Sequence, residues 1–311
     1  ETAMKAVELC RREKITFLLS VGGGSVLDAT KFISLAVHYT AADPWELYTK
    51  GALSPQTVPL GAVITLPATG SEMNCNSVLS RESTAEKLAF SNPQAYPLFS
   101  VMDPESTFTL PERQTINGIV DAFVHVCEQY MTYPVNSPLQ DRQAEAVYHT
   151  LVEEGPKVLK NPRDYDARAN IMWAATHALN FIMACGVPED WSTHMIGHEI
   201  TALHGLDHAQ TLACVLFGVW KHQKQAKEAK LVQYGQRIWG ITPGPGAVEK
   251  AIDRTEAFFR SLGMKTRLHE YGVGTENFEK IASRIESRGM KLGEHANIGK
   301  KEILEILNLS L

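Results

Sequence analysis

Over the first hundred residues, apolar positions fall in short β-rich runs, each closed by a turn. Ile15 to Val21 ends at Gly22-Gly23-Gly24-Ser25, Val58 to Leu66 at Pro67-Ala68-Thr69-Gly70-Ser71-Glu72, and Ala95 to Met102 at Asp103-Pro104. Runs of this length between Gly, Pro and Asp predict buried strands. Ahead of the first run Ala3, Val7 and Cys10 share a face at helical spacing, and behind it Val26 to Val37 resumes that spacing. The predicted unit is strand, glycine turn, helix, within an α/β layer. From about Pro111 the texture changes to amphipathic segments of roughly 12 to 22 residues, with punctuation such as Tyr133-Pro134-Val135-Asn136 and Thr242-Pro243-Gly244-Pro245. We therefore expect an α/β domain over residues 1–110 and an all-helical domain over residues 111–311.

With 311 residues, 44% of them hydrophobic, the chain can bury a sizeable core. Its net charge of -5 gives no broad footprint for nucleic acid, so small or neutral partners are expected. No apolar run reaches the roughly 18 residues of a membrane span, and no leader pattern opens the chain. The five cysteines are scattered and form no CxxC pair, which reads as reduced thiols in a cytoplasmic protein.

Three glycines at a strand end allow a tight turn and close approach of a ligand, and the helix N-terminus behind them offers free N–H groups. Such a turn suits a pyrophosphate, although it matches neither GxGxxG nor the Walker pattern, and a bare tight turn fits it equally well. Thr65, Thr69, Gly70 and Ser71 mark a second strand-to-helix junction, where open α/β sheets bind ligands. The bland alternative is an N-cap formed by Ser71.

A sharper signal lies in the second half: His194, His198, His204 and His208 crowd one stretch of a chain with 11 histidines. On a helix His194 and His198 share a face, as do Asp121 and His125. Two such pairs can converge on one ion, and a carboxylate with three imidazoles suits zinc or iron(II). An isolated Asp–His pair would be an ordinary helix-surface contact. Met195 stands where the HExxH pattern of zinc proteases needs its glutamate.

Taken in order, Gly22-Gly23-Gly24-Ser25-Val26-Leu27-Asp28, Leu66-Pro67-Ala68-Thr69-Gly70-Ser71-Glu72, Asp103-Pro104 and the Asp/His set resemble the iron-containing (group III) alcohol dehydrogenases nearly end to end. The stretches Asp190 to Glu199 and Gly205 to Gln210 look closest to the branch of NADPH-dependent aldehyde reductases and butanol dehydrogenases. The resemblance implies a dehydroquinate-synthase-like fold of a Rossmann-like nucleotide domain and a helical metal-binding domain. It implies one divalent metal, Fe2+ or Zn2+, on Asp121, His125, His194 and His208, with NADP(H) or NAD(H) as cofactor. The Gly22, Gly23, Gly24, Ser25 turn, with Asp28 in the same motif, would hold the pyrophosphate, and Thr65, Thr69 and Ser71 would line the cofactor cleft. Lys87 matches a family lysine that reaches the cofactor, whereas by sequence alone it reads as a surface charge. His198 falls where the family has a second histidine beside the metal, suited to proton handling. His208 is preferred over His204 because its separation of 14 from His194 suits the family pattern.

The implied substrate is a small alcohol or aldehyde and the implied assembly a homodimer. Family members normally begin with a further strand-helix-strand portion, whereas this chain opens at Glu1 directly into helical spacing. The nucleotide domain is therefore expected to be incomplete and to bind cofactor more weakly. Two rivals stand beside the dehydrogenase. One is a carbon-oxygen lyase of the dehydroquinate-synthase type, which must grip a phosphorylated substrate with basic residues; the sequence near the ligands is instead apolar, with Ile182, Met183, Val187, Trp191 and Met195. The other is a non-catalytic metal- or nucleotide-binding remnant.

Overall fold

A computed structural model describes residues 1–311. The first half runs α1 (Thr2–Glu13), β1 (Leu18–Gly23), α2 (Gly24–Ala36), a single turn α3 (Glu46–Thr49), β2 (Leu60–Leu66), β3 (Asn76–Arg81), β4 (Glu86–Ser91) and β5 (Ser100–Val101). β1, β2 and β5 form a parallel sheet in that order, with Leu18 opposite Leu60 and Ala62 opposite Ser100. Because the strands run parallel, the turns after β1 and β2 open at the same sheet edge, where α/β proteins bind ligands. The two turns touch: a β-carbon at Gly24 would sit 2.7 Å from the Thr69 hydroxyl oxygen.

Helices make up the second half: α4 (Glu112–Tyr130), α5 (Pro138–Lys160), α6 (Tyr165–Ala178), α7 (Ser192–His204), α8 (His208–His222), α9 (Glu228–Trp239), α10 (Ala247–Ser261), α11 (Phe278–Ser287) and α12 (Lys300–Leu309). Every residue of α4 from Thr115 to Tyr130 is buried, as expected of a helix surrounded by others. The main apolar core draws only on residues from Ile116 onward, and a smaller core under the sheet draws on Val7 to Ala95. Each half thus packs around its own centre. They meet where Gly118 of α4 passes beneath the second turn, so closely that a β-carbon there would lie 2.3 Å from the Pro67 carbonyl oxygen.

Three local expectations change. The apolar run Ala95 to Met102 yields only two paired residues, its start being a 3-10 turn at Pro93–Ala95. No helix follows Ser71: a three-residue 3-10 turn, Ser71–Met73, leads into the antiparallel hairpin β3–β4, and the Ser71 side chain makes no cap. The cause is Lys31, fully buried on α2. Its ammonium donates to Ser71 Oγ at 2.7 Å, to the Asn74 carbonyl at 2.8 Å and to the Asn76 carbonyl at 2.8 Å, drawing the chain away from a helical path.

Candidate metal centre

Helix α4 presents Asp121, His125 and Glu128 on one face, because residues three, four and seven apart stack along a helix. α7 presents His194 and His198 one turn apart, and α8 begins at His208. The connection between α7 and α8 is fixed at both ends. Gly205 closes α7 in the left-handed region, with φ of 70°, and Asp207 stands at the N-cap of α8, its amide donating to Gln210 Oε1 at 3.1 Å. Asp207 also accepts a hydrogen bond from Asn117 Nδ2 of α4 at 2.8 Å, which pins the His208 end of α8 to the Asp121 helix.

These elements bring ligand atoms of Asp121, His194 and His208 within 4.8 Å of one another. His125 adjoins that trio: its Nε2 is 3.9 Å from Asp121 Oδ1, and its ring stacks on His194 with centroids 4.7 Å apart. Asp121 Oδ1, His125 Nδ1, His194 Nε2, His198 Nε2 and His208 Nδ1 are all buried without a hydrogen-bond partner. Leaving one such atom unpaired costs about 1–3 kcal/mol, so the unpaired Asp121 Oδ1 and His194 Nε2 within the converging trio call for a ligand. A divalent cation fits the donor set. Burial holds His125, His194, His198 and His208 below the usual imidazole range, opposed at His125 by Asp121 and reinforced at the others by Lys87 and by the crowding of one imidazole on another. The rings are thereby kept in the neutral form that coordinates metal.

His194 is oriented by a residue that sequence reasoning missed. Glu128 Oε1 accepts hydrogen bonds from the His194 amide at 2.9 Å and from His194 Nδ1 at 2.8 Å, so Nε2 faces the trio with its lone pair. Spacing carried the signal, for Glu128 lies seven residues after Asp121 on the same face. His204 is directed elsewhere, its Nε2 lying 3.4 Å from Asn277 Nδ2.

Asp121, His194 and His208 line a cavity of about 810 Å3 that reaches the glycine turn. Gly23, Gly24, Ser25, Thr69 and Lys87 line it, together with Asp28, Ser71 and His198. Gly22 and Thr65 do not. Asp28 and Ser71 are committed to one another: Ser71 Oγ donates to Asp28 Oδ1 at 2.7 Å, and Asp28 Oδ2 accepts from the Val78 amide at 2.8 Å. They brace the wall against the hairpin. Lys87 enters from β4, its ammonium pushed down to about 8 by burial while Asp121 and Asp28 oppose the shift. Of the apolar residues near the ligands, Trp191 and Met195 line this cavity, whereas Ile182 and Met183 face a smaller one beside Trp173.

Two family models together match nearly the whole chain. Residues 1–104 match the family model described as iron-containing alcohol dehydrogenase, and residues 115–311 match that of the Fe-containing alcohol dehydrogenase family, C-terminal. The chain belongs to the iron-containing alcohol dehydrogenase family. Within this family it is 52% identical over 303 residues to the NADPH-dependent aldehyde reductase YqhD of Escherichia coli K12, covering 96% of this chain and 78% of that protein. The crystal structure of E. coli YqhD superposes with a TM-score of 0.98 at 49% identity, over 100% of this chain and 81% of that one. The NADH-dependent butanol dehydrogenase A of Thermotoga maritima superposes with a TM-score of 0.94 at 31% identity, over 99% and 79%. The fold is thus the dehydroquinate-synthase-like one, and the C-terminal family model runs from within α4 through α12.

Proposed function

We propose that this alcohol dehydrogenase family member interconverts small aldehydes and alcohols by hydride transfer with NAD(P)(H), NADPH-dependent aldehyde reduction being favoured. The observation that supports the reading is the convergence of ligand atoms from Asp121, His194 and His208, with His125 beside them, in a cavity that also takes in the glycine turn. The nicotinamide supplies the hydride, and a divalent cation, Fe2+ or Zn2+, supplies Lewis acidity toward the substrate oxygen. The chain's own groups do the positioning. Gly23, Gly24 and Ser25 offer backbone N–H groups at the start of α2 to the pyrophosphate, and Lys87 adds positive charge in the cleft. His198, a turn after His194, hands a proton to the substrate oxygen or takes one from it. Residues 1–110 act as the cofactor half and residues 111–311 as the metal half.

The preference for NADPH rests on the likeness to the E. coli aldehyde reductase. Against a lyase acting on a phosphorylated substrate stands the cavity lining, in which Lys87 is the only lysine or arginine. The test is the initial rate of NADPH and of NADH oxidation with butanal. NADPH should be the better donor, and oxidation of neither by metal-replete protein would leave only a non-catalytic binding role.

A further inference from the structure

Hairpin β3–β4 stands outside the parallel sheet, and two strands alone are marginally stable in water. Its own half holds it by Lys31 at the base and by Arg81, which donates to Asp43 Oδ2 at 2.7 Å. The helical half reaches it at the tip. Ala85, which closes the turn, has φ of 49°, a left-handed conformation disfavoured for any residue with a β-carbon. The Ala85 carbonyl accepts a hydrogen bond at 2.6 Å from Arg284 Nη2 on α11, 199 positions away.

The same guanidinium engages α7. Arg284 Nε lies 2.8 Å from Glu199 Oε2, an ion pair without good hydrogen-bond alignment, while Arg288 Nη1 donates to Glu199 Oε1. The Glu199 side chain is 1% exposed, so its charge depends on these two partners. Glu199 follows His198 directly, and Lys87 lies two residues beyond Ala85. One side chain therefore joins the helix of the metal centre to the strand whose lysine enters the cleft.

We propose that Arg284 is a positioning residue that closes hairpin β3–β4 onto α7 and thereby holds Lys87 in the cofactor cleft. The proposal rests on the nicotinamide reading above. Without Arg284 the left-handed turn at Ala85 loses its tie to α11 and the tip keeps only the exposed contact of the Ser83 amide with Glu1, so the tip opens and the cofactor meets a wall that must first be ordered.

The test compares Arg284→Ala and Arg284→Lys with the wild type, reading metal content, cofactor KM, kcat and hydrogen exchange of residues 82–88. Arg284→Ala should exchange faster at the hairpin tip even without cofactor. Its KM for NADPH should rise about tenfold, equivalent to about 1.4 kcal/mol, with metal content unchanged and kcat within about threefold. Arg284→Lys keeps a charge for Glu199 but cannot fork to Ala85 as well, and should fall between. Adding Ala85→Gly to Arg284→Ala should recover part of the KM, because glycine adopts the turn without strain. Unchanged exchange at the tip would overturn the proposal, as would a loss of metal with cofactor KM unaltered. If the wild type bound no nicotinamide, the functional reading would fall, and the exchange comparison would still decide whether Arg284 holds the hairpin.

Discussion

Glu128 offers the sharpest perturbation of the metal centre that leaves every ligand in place. Its Oε1 is the acceptor for both the amide and Nδ1 of His194, and the side chain is 2% exposed. Burial and the neighbouring Asp190 push the Glu128 carboxyl well above the usual carboxylate range. A nearby divalent cation favours the ionised form, and the ionised form in turn strengthens His194 as a donor to the cation. Glu128→Gln keeps an oxygen acceptor but loses the charge, and metal affinity should fall about tenfold. Glu128→Ala removes the acceptor altogether. Two buried His194 donors are then unpaired, the ring is free to turn, and the loss should approach the hundredfold end of the range for groups that orient a ligand. The assay is competition with a chelator of known affinity, on protein shown to be folded by circular dichroism. Wild-type affinity in folded Glu128→Ala would refute the claim that this carboxylate orients His194.

His208→Ala should lose stoichiometric metal by elemental analysis while His204→Ala keeps it, since His204 is directed at Asn277; the reverse result would overturn the ligand assignment. His198→Gln should retain metal yet lose turnover by about 10² to 10⁴, the scale of general acid-base assistance, and an unchanged kcat would reduce His198 to a packed core residue. Gly118→Ala drives a methyl group into the Pro67 carbonyl oxygen, which should cost about 1–3 kcal/mol and lower Tm by about 2 to 12 °C in a thermal melt; an unshifted Tm would show that α4 can move away from the turn.

What the sequence disclosed was local. The glycine turn was legible because Gly24 answers a single demand, close passage of Thr69, and the histidines because four in one stretch exceed what packing needs. Hairpin β3–β4 was not. Its strands carry Ser80, Arg81, Glu86 and Lys87 with little alternation, and its course is set by Lys31, which reads in sequence as a surface charge but is buried against acceptors more than forty residues away. Glu128 was hidden for a similar reason: a glutamate on an amphipathic helix reads as solvent-facing until α4 proves to be surrounded. Asp28 and Ser71 both line the cavity, and only the structure shows their polar atoms bonded to one another.

The central claim is that nicotinamide-dependent chemistry occurs at the metal held by the Asp121 and histidine set. The most direct measurement is butanal-dependent oxidation of NADPH, recorded on the same samples as metal content, for the wild type and for His194→Ala. The account predicts that the metal-replete wild type consumes NADPH only when aldehyde is present, and that folded His194→Ala, depleted of metal, does not. Wild-type turnover by metal-free His194→Ala would contradict it.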